Sequence, residues 1–357
     1  MAETPTDDDE QPAEPAEPDA SAEPVDPWDL LDDLDSADEL DDEEDEDDDE
    51  DDEDDGDDEA VPTGPPIVHL TVRHSGFVAL AGRPNVGKSS LTNAIIGEKV
   101  TIVSPRPQTT RHEIRGVLTR ADAQLVLVDT PGVHKPKTAM GRRLNRTAFE
   151  AREDTDVTVL VVDASKGVGG PGDARLMASM PDDVVVAINK IDRLPPERIL
   201  GAIADADALA KRFGKGSPEF FPVSARSGQG VSELIEHLIG RLPEGPLWYP
   251  EDQVRDSTES FWVAELVREQ LLATAREELP HSIATRCGEL NWPYIEVEIL
   301  VERISQKGMV IGQGGENLKR AGIGARKLLP KGTHLELKVK VNRDWQRKDA
   351  ELDKLGY

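Results

Sequence analysis

One segment limits what this chain can fold into more than any other, the run GRPNVGKS from Gly82 to Ser89. It fits the pattern G-x-x-x-x-G-K-[ST] between an apolar run and a predicted helix, where glycines let backbone N–H groups surround phosphate oxygens. The helix N-terminus adds its positive dipole end, Lys88 can reach the β- and γ-phosphates, and the Ser89 hydroxyl can bind Mg²⁺. We therefore predict a nucleotide-binding domain whose phosphate loop comprises Gly82, Arg83, Pro84, Asn85, Val86, Gly87, Lys88, Ser89 and Ser90.

The apolar runs around this loop are typical of a parallel sheet. Several are rich in Val, Ile, Leu or Phe and lack alternation, so we interpret them as strands buried on both faces. These runs are Gly76–Ala81, Gln124–Val128, Val157–Val162, Val184–Ile188 and Phe220–Val223. Helical stretches lie between them, at Lys88–Gly97, Ala174–Met180, Arg198–Arg212 and Val231–Leu242. The alternation predicts a doubly wound, mostly parallel α/β domain, which we place at residues 67–245.

Three further motifs each follow a predicted buried strand. Asp129-Thr-Pro-Gly132 can hold Mg²⁺ through water with its carboxylate and sense a γ-phosphate with the Gly132 N–H. In Asn189-Lys190-Ile-Asp192, the Asp192 carboxylate can accept from guanine N1–H and the exocyclic amine, a donor pair that adenine lacks. Backbone N–H groups of Ser224-Ala225 would complete the base pocket. Each motif alone is a common turn, but their order predicts GTP and GDP as ligands of Asp129, Thr130, Pro131, Gly132, Asn189, Lys190, Asp192, Ser224 and Ala225.

The polar loop Gln108–His112 lies between the first two motifs. One of its threonines is expected to close on Mg²⁺ when a γ-phosphate is present, and we favour Thr110, which directly precedes Arg111, over Thr109. Together with the segment after Gly132, the loop would form a switch that orders with GTP and relaxes after hydrolysis. The predicted catalytic residues are Lys88, Thr110, Asp129 and Gly132, with Ser89, Thr110 and Asp129 at the metal.

Val133 stands where Ras-type GTPases carry the glutamine that orients the attacking water. Its side chain cannot form a hydrogen bond, so we expect slow intrinsic hydrolysis or help from another group or ion. Asn85 bears on this point, because GTPases with a PNxGKSS loop resemble those that bind K⁺ in place of an arginine finger. The alternative is that Asn85 is only a turn residue.

Acidic residues are concentrated at the start of the chain. Residues 1–60 carry 34 Asp and Glu and no Lys or Arg, whereas the remainder carries 38 acidic and 41 basic side chains. We predict disorder over residues 1–66, because such a segment cannot bury enough apolar area to offset its ordering entropy. Trp28, Leu31 and Leu34 could share one face of a short helix, as residual apolar content or as a docking motif. Residues 291–357 carry 13 Lys and Arg against 9 Asp and Glu, which indicates a polyanionic partner, and the acidic tail could compete with that partner for this basic region.

The composition also bears on location. The acidic start has no apolar core and no apolar run reaches the length of a membrane span, so we expect a soluble cytoplasmic protein without a signal peptide. Cys287 is the only cysteine, which excludes a disulfide framework.

A different pattern follows the proline-rich linker after Leu242. Phe261–Ala275 predicts an amphipathic helix, and Tyr294–Arg303 and Leu335–Val341 alternate apolar and charged residues as half-buried strands do. A glycine-rich turn and a helix lie between them, over Gly312–Leu329. We predict a small α+β domain over residues 246–357, linker included, with the order helix–strand–strand–helix–helix–strand.

These motifs together resemble one family, the bacterial Era-type GTPases, from about residue 72 to Tyr357. The resemblance rests on GRPNVGKSSLTNAIIG, PQTTRHEIRG, DTPGVHKPK, NKID and VSA in the Ras-like P-loop domain. Outside that domain it rests on YPEDQ, EELPHS, VERISQKGMVIGQGG and the ending DW…LGY. The second group identifies the family among related GTPases.

The resemblance implies a type II KH domain in the second half, with Gly312–Gly315 as its GxxG loop between a strand and a helix. Such a loop lets the backbone approach RNA phosphates closely. The loop interior has no lysine, unlike many members of the family. The RNA-binding residues implied are Lys307, Ile311, Gly312, Gln313, Gly314, Gly315, Lys319, Arg320 and Arg326.

The partners implied are also taken from the family. Era-type proteins bind the 3′ end of 16S rRNA, assist maturation of the 30S subunit and can associate peripherally with the inner face of the membrane. We expect a monomer that binds RNA and not DNA. Two alternatives stay open: an RNA-binding scaffold whose hydrolysis is vestigial, and a related GTPase that acts on tRNA or on the large subunit.

Overall fold

The computed structural model describes residues 74–133, 138–275 and 279–357. The predictions of a disordered tail over residues 1–66 and of a short helix around Trp28 lie outside the described residues, and so does the proposed competition of the tail with RNA. Within the described ranges, no helix is long and apolar enough to cross a lipid bilayer.

The first sheet has seven strands among the described residues. They are β1 His74–Ala81, β2 Ile114–Thr119, β3 Ala123–Asp129, β4 Val157–Asp163, β5 Val185–Asn189, β6 Glu219–Pro222 and β7 Arg255–Asp256. Their order across the sheet is β6-β5-β4-β1-β3-β2-β7. Neighbours from β6 to β3 are parallel, whereas β2 runs antiparallel to both β3 and β7. Strands β3, β4 and β5 are buried along their whole length, so the predicted mostly parallel α/β class is confirmed.

Helices cover this sheet. They are α1 Lys88–Ile96, α2 Ala139–Glu153, α3 Pro171–Ala178, α4 Pro196–Arg212 and α5 Val231–Arg241. Helices α1 and α5 share the main core with β1 and β3, through side chains such as Leu91, Ile95, Leu234 and Leu238. This packing places the N-terminus of α1 at the carboxyl end of β1, where the phosphate loop joins them.

The second domain is built from three strands and several short helices among the described residues. Its elements are α6 Glu259–Thr274, α7 Leu279–Ser282, β8 Ala284–Asn291, β9 Tyr294–Val301, α8 Ile304–Ile311, α9 Glu316–Arg326, β10 His334–Val341 and α10 Asp349–Lys354. The sheet order is β10-β9-β8, with β9 parallel to β10 and antiparallel to β8. Apart from the single turn α7, the predicted helix–strand–strand–helix–helix–strand order is confirmed.

The predicted setting of the glycine-rich loop is wrong in one respect. Gly312–Gly315 joins two helices, α8 and α9, and not a strand and a helix. The predicted strand stops at Val301 because the Gln306 side chain accepts hydrogen bonds from the N–H groups of Glu302 and Arg303, at 2.9 Å each, and so starts a helix there.

The two domains are joined along an edge of the first sheet. Strand β7 lies within the residues that we assigned to the second domain, and it pairs with β2. The Gln124 side chain binds the same connecting segment, accepting from the N–H groups of Trp248 and Tyr249 and donating to the Tyr249 carbonyl at 2.9 Å. The connection after β6 and α5 therefore returns to the sheet before α6 begins.

Candidate functional site

The phosphate loop has the conformation that its glycines predict. Gly87 has φ +104°, and a Cβ there would lie 2.4 Å from the side-chain nitrogen of Asn189. A Cβ on Gly132 would lie 2.8 Å from backbone atoms of Pro84. Both positions therefore require glycine, because they bring the Asp129 and Asn189 motifs against the phosphate loop.

Lys88 lies buried at the centre of this loop, with 6% of its surface exposed. Its Nζ donates to the carbonyls of Gly82 at 3.0 Å and Arg83 at 3.4 Å. Burial lowers the pKa of Lys88 to about 8, against the opposing attraction of Asp129. A phosphate group in the loop would raise the pKa of Lys88 again by direct attraction.

A cavity of about 390 Å³ lies in front of the loop. It brings together most of the predicted phosphate ligands with the predicted switch threonine. Its predicted lining residues are Pro84, Asn85, Gly87, Lys88, Ser89, Ser90, Thr110, Gly132 and Lys190. Sequence reasoning missed Lys166 and Arg193, which also line it. Both come shortly after the carboxyl end of a parallel strand, which is the signal that could have identified them.

Three oxygen-bearing side chains converge beside Lys88. The Ser89 and Thr110 hydroxyls are 2.8 Å apart, and the Thr110 hydroxyl donates to Asp129 Oδ2 at 3.4 Å. Thr101 donates to the same oxygen at 3.1 Å. Asp129 is fully buried, burial raises its pKa against the attraction of Lys88, and its Oδ1 has no hydrogen-bond partner in the described structure. An all-oxygen cluster with an unsatisfied carboxylate fits Mg²⁺.

The two candidate switch threonines differ clearly. The Thr110 hydroxyl lies in the cluster formed with Ser89 and Asp129, whereas the Thr109 hydroxyl donates to the Arg106 carbonyl at 2.8 Å. This geometry favours Thr110 as the metal ligand. Thr130, which we placed among the nucleotide ligands, donates instead to the Leu80 carbonyl at 2.9 Å and joins the ends of β1 and β3.

The base-selecting motif is tied to the phosphate loop by Asn189. Its amide donates to the Val86 carbonyl at 3.0 Å, and its carbonyl oxygen accepts from the Ala225 N–H at 3.1 Å. Asp192 is oriented by Ser224, whose hydroxyl donates to Asp192 Oδ1 at 2.7 Å. Asn189 thus connects three motifs, and Asp192 lies exposed beside them.

Two further positions bear on hydrolysis. The Asn85 side-chain N–H donates to the Pro105 carbonyl at 3.0 Å, which links the phosphate loop to the switch loop, residues 97–113. Val133 is buried, with 8% of its surface exposed, and only its backbone N–H reaches a partner, the Gly82 carbonyl at 3.3 Å.

The switch loop is fixed to helix α6 of the second domain. Glu269 accepts from the Lys99 ammonium at 2.6 Å and from the Val103 N–H at 2.9 Å. Arg268 has no exposed surface, pairs with Glu265 at 2.6 Å and donates to the Thr109 carbonyl. Burial alone would raise the pKa of Glu265, but Arg268 outweighs it and lowers this pKa.

On the other side of Thr110, Arg111 and His112 fix the loop to two segments of the second domain, one around residues 281–283 and the other at residues 356–357. The Arg111 guanidinium donates to the Ile283 carbonyl at 2.7 Å and the His281 carbonyl at 3.0 Å. The His112 ring binds the Gly356 carbonyl at 2.9 Å and stacks on Tyr357 with ring centroids 4.6 Å apart. The residues on both sides of Thr110, Thr109 and Arg111, are therefore bound to the second domain. A movement of Thr110 out of the cluster with Ser89 and Asp129 would act on that domain directly.

The docking of His112 predicts a pH effect on stability. Burial lowers the pKa of His112 from 6.5 to about 4. The folded state then binds fewer protons than the unfolded state between these values, so this contribution to stability is complete above pH 6.5 and is lost as pH falls towards 4. We expect the melting temperature of the wild type to fall more over this range than that of His112→Phe, which keeps the stacking. Equal falls, measured by circular dichroism, would contradict the lowered pKa of the half-buried His112 ring.

The predicted RNA-binding residues are spread over α8, the glycine loop and α9. Gly312, Gly314 and Gly315 all have positive φ, between +60° and +80°, and a Cβ on Gly314 would have open space around it. An open cleft of about 960 Å³ includes Gly312, Gln313 and Arg320. It does not include Lys307, Ile311, Gly314, Gly315, Lys319 or Arg326.

Some features beside this loop differ from the sequence-based view. Arg326 lies at the far end of α9, in a separate cavity with Tyr294 and His334. Ile304 and Met309 on α8 are exposed apolar side chains, 74% and 46% accessible, which the sequence analysis did not single out.

Two family models match separate parts of this chain. The family model described as 50S ribosome-binding GTPase matches residues 77–190, and the KH domain model matches residues 278–346. The GTPase Era of Mycolicibacterium paratuberculosis is 43% identical over 304 residues, which cover 81% of this chain and the whole of that protein. The GTPase Era of Mycobacterium tuberculosis is 42% identical over 305 residues, with the same coverage.

Two solved structures resemble the whole of both domains. One is Era in complex with MgGDPNP and nucleotides 1506–1542 of 16S ribosomal RNA, at 35% identity and a TM-score of 0.75, covering 80% of this chain and 99% of that one. The other is a variant of Aquifex aeolicus Era bound to GDP·AlF₄⁻, at 35% identity, a TM-score of 0.73 and the same coverage. This chain therefore belongs to the GTPase Era family, with a P-loop GTPase domain followed by a KH domain.

Proposed function

We propose that this chain is a GTP-controlled RNA-binding switch, which binds the 3′ end of 16S rRNA through its KH domain and assists maturation of the 30S subunit. The observation that carries the proposal is the position of Thr110. Its hydroxyl lies in the Ser89–Asp129 cluster, while its neighbours Thr109 and Arg111 are bound by the KH domain.

The nucleotide cycle follows from this arrangement. Mg²⁺ would neutralise charge on the β- and γ-phosphates and would be held by Ser89 and Thr110 directly and by Asp129 through water. Lys88 binds the same phosphates, and the Gly132 N–H senses the γ-phosphate. After the γ-phosphate has left, the Mg²⁺ site no longer holds Thr110 in the cluster. The contacts of the switch loop with α6 then weaken.

The RNA part of the proposal rests on the KH domain and on the solved Era complex, which contains 16S rRNA. The glycine loop is exposed, and its positive φ values suit close approach to a phosphate. The family model described as 50S ribosome-binding GTPase covers residues 77–190 only, whereas the relatives that match over about 304 residues, both domains included, are Era proteins. These observations favour the small-subunit RNA over tRNA or the large subunit.

Finer parts of the proposal concern hydrolysis and location. Because Val133 offers no side-chain hydrogen bond, we propose K⁺ bound near Asn85 as the aid to hydrolysis. The rival view, a scaffold with vestigial hydrolysis, predicts equally slow GTP turnover in K⁺ and in Na⁺. We further propose a cytoplasmic location with peripheral contact to the inner membrane face, which co-sedimentation with vesicles of membrane lipid would test.

The experiment that tests the proposal is in-cell crosslinking followed by sequencing of the bound RNA, for the wild type and for Gly314→Asp. Gly314 has φ +60° and nothing within 4 Å of an added Cβ, so aspartate adds a negative charge without a clash. Gly214→Asp is the matched control, because Gly214 has φ +66° and equally open surroundings but lies in the GTPase domain.

We expect the 3′ end of 16S rRNA to be recovered with the wild type and with Gly214→Asp, and to be reduced at least tenfold with Gly314→Asp. A tenfold change corresponds to about 1.4 kcal/mol, a plausible cost for one repulsive charge at a phosphate contact. Recovery of tRNA or of large-subunit RNA would overturn the proposed target while leaving the GTPase family membership intact.

A further inference from the structure

We infer that Arg106, on the switch loop of the GTPase domain, contacts an RNA phosphate in the cleft beside the KH glycine loop. The inference rests on the proposed RNA-binding function and deepens it, because it makes one contact of the RNA site dependent on the nucleotide.

The cleft has walls from both domains. It has a volume of about 960 Å³ and is open to solvent on one side. Gly312 and Gln313 of the glycine loop and the polar side chains of Ser305 and Asn317 line it from the KH helices. Arg106 lines it from the switch loop, next to Thr274 at the end of α6. An RNA strand that follows the glycine loop would therefore pass the guanidinium of Arg106.

Arg106 is held in place by neutral groups. One guanidinium N–H donates to the Ala275 carbonyl at 2.6 Å, and the Arg106 backbone N–H donates to the Ser104 hydroxyl at 3.0 Å. Its Nε is buried and has no hydrogen-bond partner in the described part of the chain. Among the same residues, no carboxylate forms an ion pair with Arg106. A half-buried arginine that lines a polar cleft without a carboxylate partner among the described residues is suited to a phosphate, because phosphate oxygens accept from several N–H groups at once.

The position of Arg106 depends on the same loop that carries Thr110. The Thr109 hydroxyl donates to the Arg106 carbonyl. Thr110, the next residue in the chain, lies in the cluster with Ser89 and Asp129. An ordered loop therefore presents the guanidinium to the cleft, and a relaxed loop withdraws it. In this way the RNA site would respond to the bound nucleotide through Arg106, which lines the cleft itself, in addition to any change in domain arrangement.

The test is the salt dependence of RNA affinity in the full chain, by fluorescence anisotropy with an RNA of 16S nucleotides 1506–1542. Binding is measured with Mg²⁺ and either GDPNP or GDP for the wild type, Arg106→Gln and Arg106→Lys. One lost phosphate contact lowers the slope of log K against log salt by about 0.7 on a single strand. Arg212→Gln is the matched control, since Arg212 is exposed on α4 and its guanidinium lies over the Phe213 ring in the GTPase domain.

We expect Arg106→Gln to lower the slope by about 0.7 with GDPNP and to leave it unchanged with GDP, while Arg106→Lys restores it. GDPNP affinity should stay within about twofold of the wild type, because the nucleotide cavity does not include Arg106. An unchanged slope overturns the inference, even if the affinity falls, since the residue would then only position the loop. If the wild type does not bind this RNA, the proposed function fails and the inference with it; if the wild type binds and Arg106→Gln matches it, only the inference fails.

Discussion

Asp192→Asn is expected to weaken GTP binding by about 10²–10⁴-fold and to improve binding of xanthosine triphosphate. The Asp192 carboxylate is oriented by the Ser224 hydroxyl at 2.7 Å and stays exposed to the base. It would accept two hydrogen bonds from guanine, each worth about 1.5–3 kcal/mol because the acceptor is charged. Asparagine presents an amide donor instead, which suits the carbonyl that xanthine has in place of the guanine amine.

Titration with fluorescent GTP and xanthosine triphosphate measures this change. Asp205→Asn, an exposed position on α4, is the matched control and should alter neither affinity. An equal loss of both nucleotides in Asp192→Asn would show that the side chain supports the fold of the pocket and does not read the base.

Arg268→Met is expected to lower the free energy of unfolding by about 3–5 kcal/mol, because it leaves the Glu265 carboxylate buried without its partner. Glu265 is 4% exposed and Arg268 is fully buried, so solvent cannot replace the lost interaction. The change also removes the donor to the Thr109 carbonyl, which connects α6 to the switch loop.

The double variant Glu265→Leu with Arg268→Met separates the effect of the unpaired Glu265 carboxylate from the loss of the hydrogen bond to the Thr109 carbonyl. It removes the stranded charge, so we expect it to recover more than half of the lost stability. Urea denaturation followed by circular dichroism gives both values. If the double variant is as unstable as the single one, the main contribution of Arg268 is its bond to the switch loop and not the neutralisation of Glu265.

The nucleotide motifs could be predicted from sequence because each combines a local pattern with a place at a strand end. Strand β2 and helix α2 were missed. Ile114–Thr119 contains an arginine and a glycine, and its pairing with both β3 and β7 depends on distant residues. Helix α2 is rich in arginine, and two of its buried side chains, Met140 and Leu144, pack against Trp345 and Leu352, some 200 residues away.

The contacts of the switch loop could not be predicted for the same reason. Glu265 and Arg268 have the spacing of an exposed pair on one helix face, yet they are buried against residue 109 of the other domain. The setting of the glycine loop was wrong because α8 has only eight residues and its start depends on hydrogen bonds to the Gln306 side chain, which periodicity does not reveal. Sequence thus predicted many of the residues that line the candidate nucleotide cavity, whereas the contacts between this cavity and the KH domain depend on long-range packing.

The central claim is that the nucleotide controls RNA binding. The most direct test is the affinity of the wild-type chain for the RNA of nucleotides 1506–1542, with Mg²⁺ and either GDPNP or GDP. Coupling free energies between sites are commonly about 1–3 kcal/mol, so we expect binding roughly 5–150-fold tighter with GDPNP. Equal affinities in the two nucleotide states would contradict the account, because the contacts around Thr110 would then carry no signal to the KH domain.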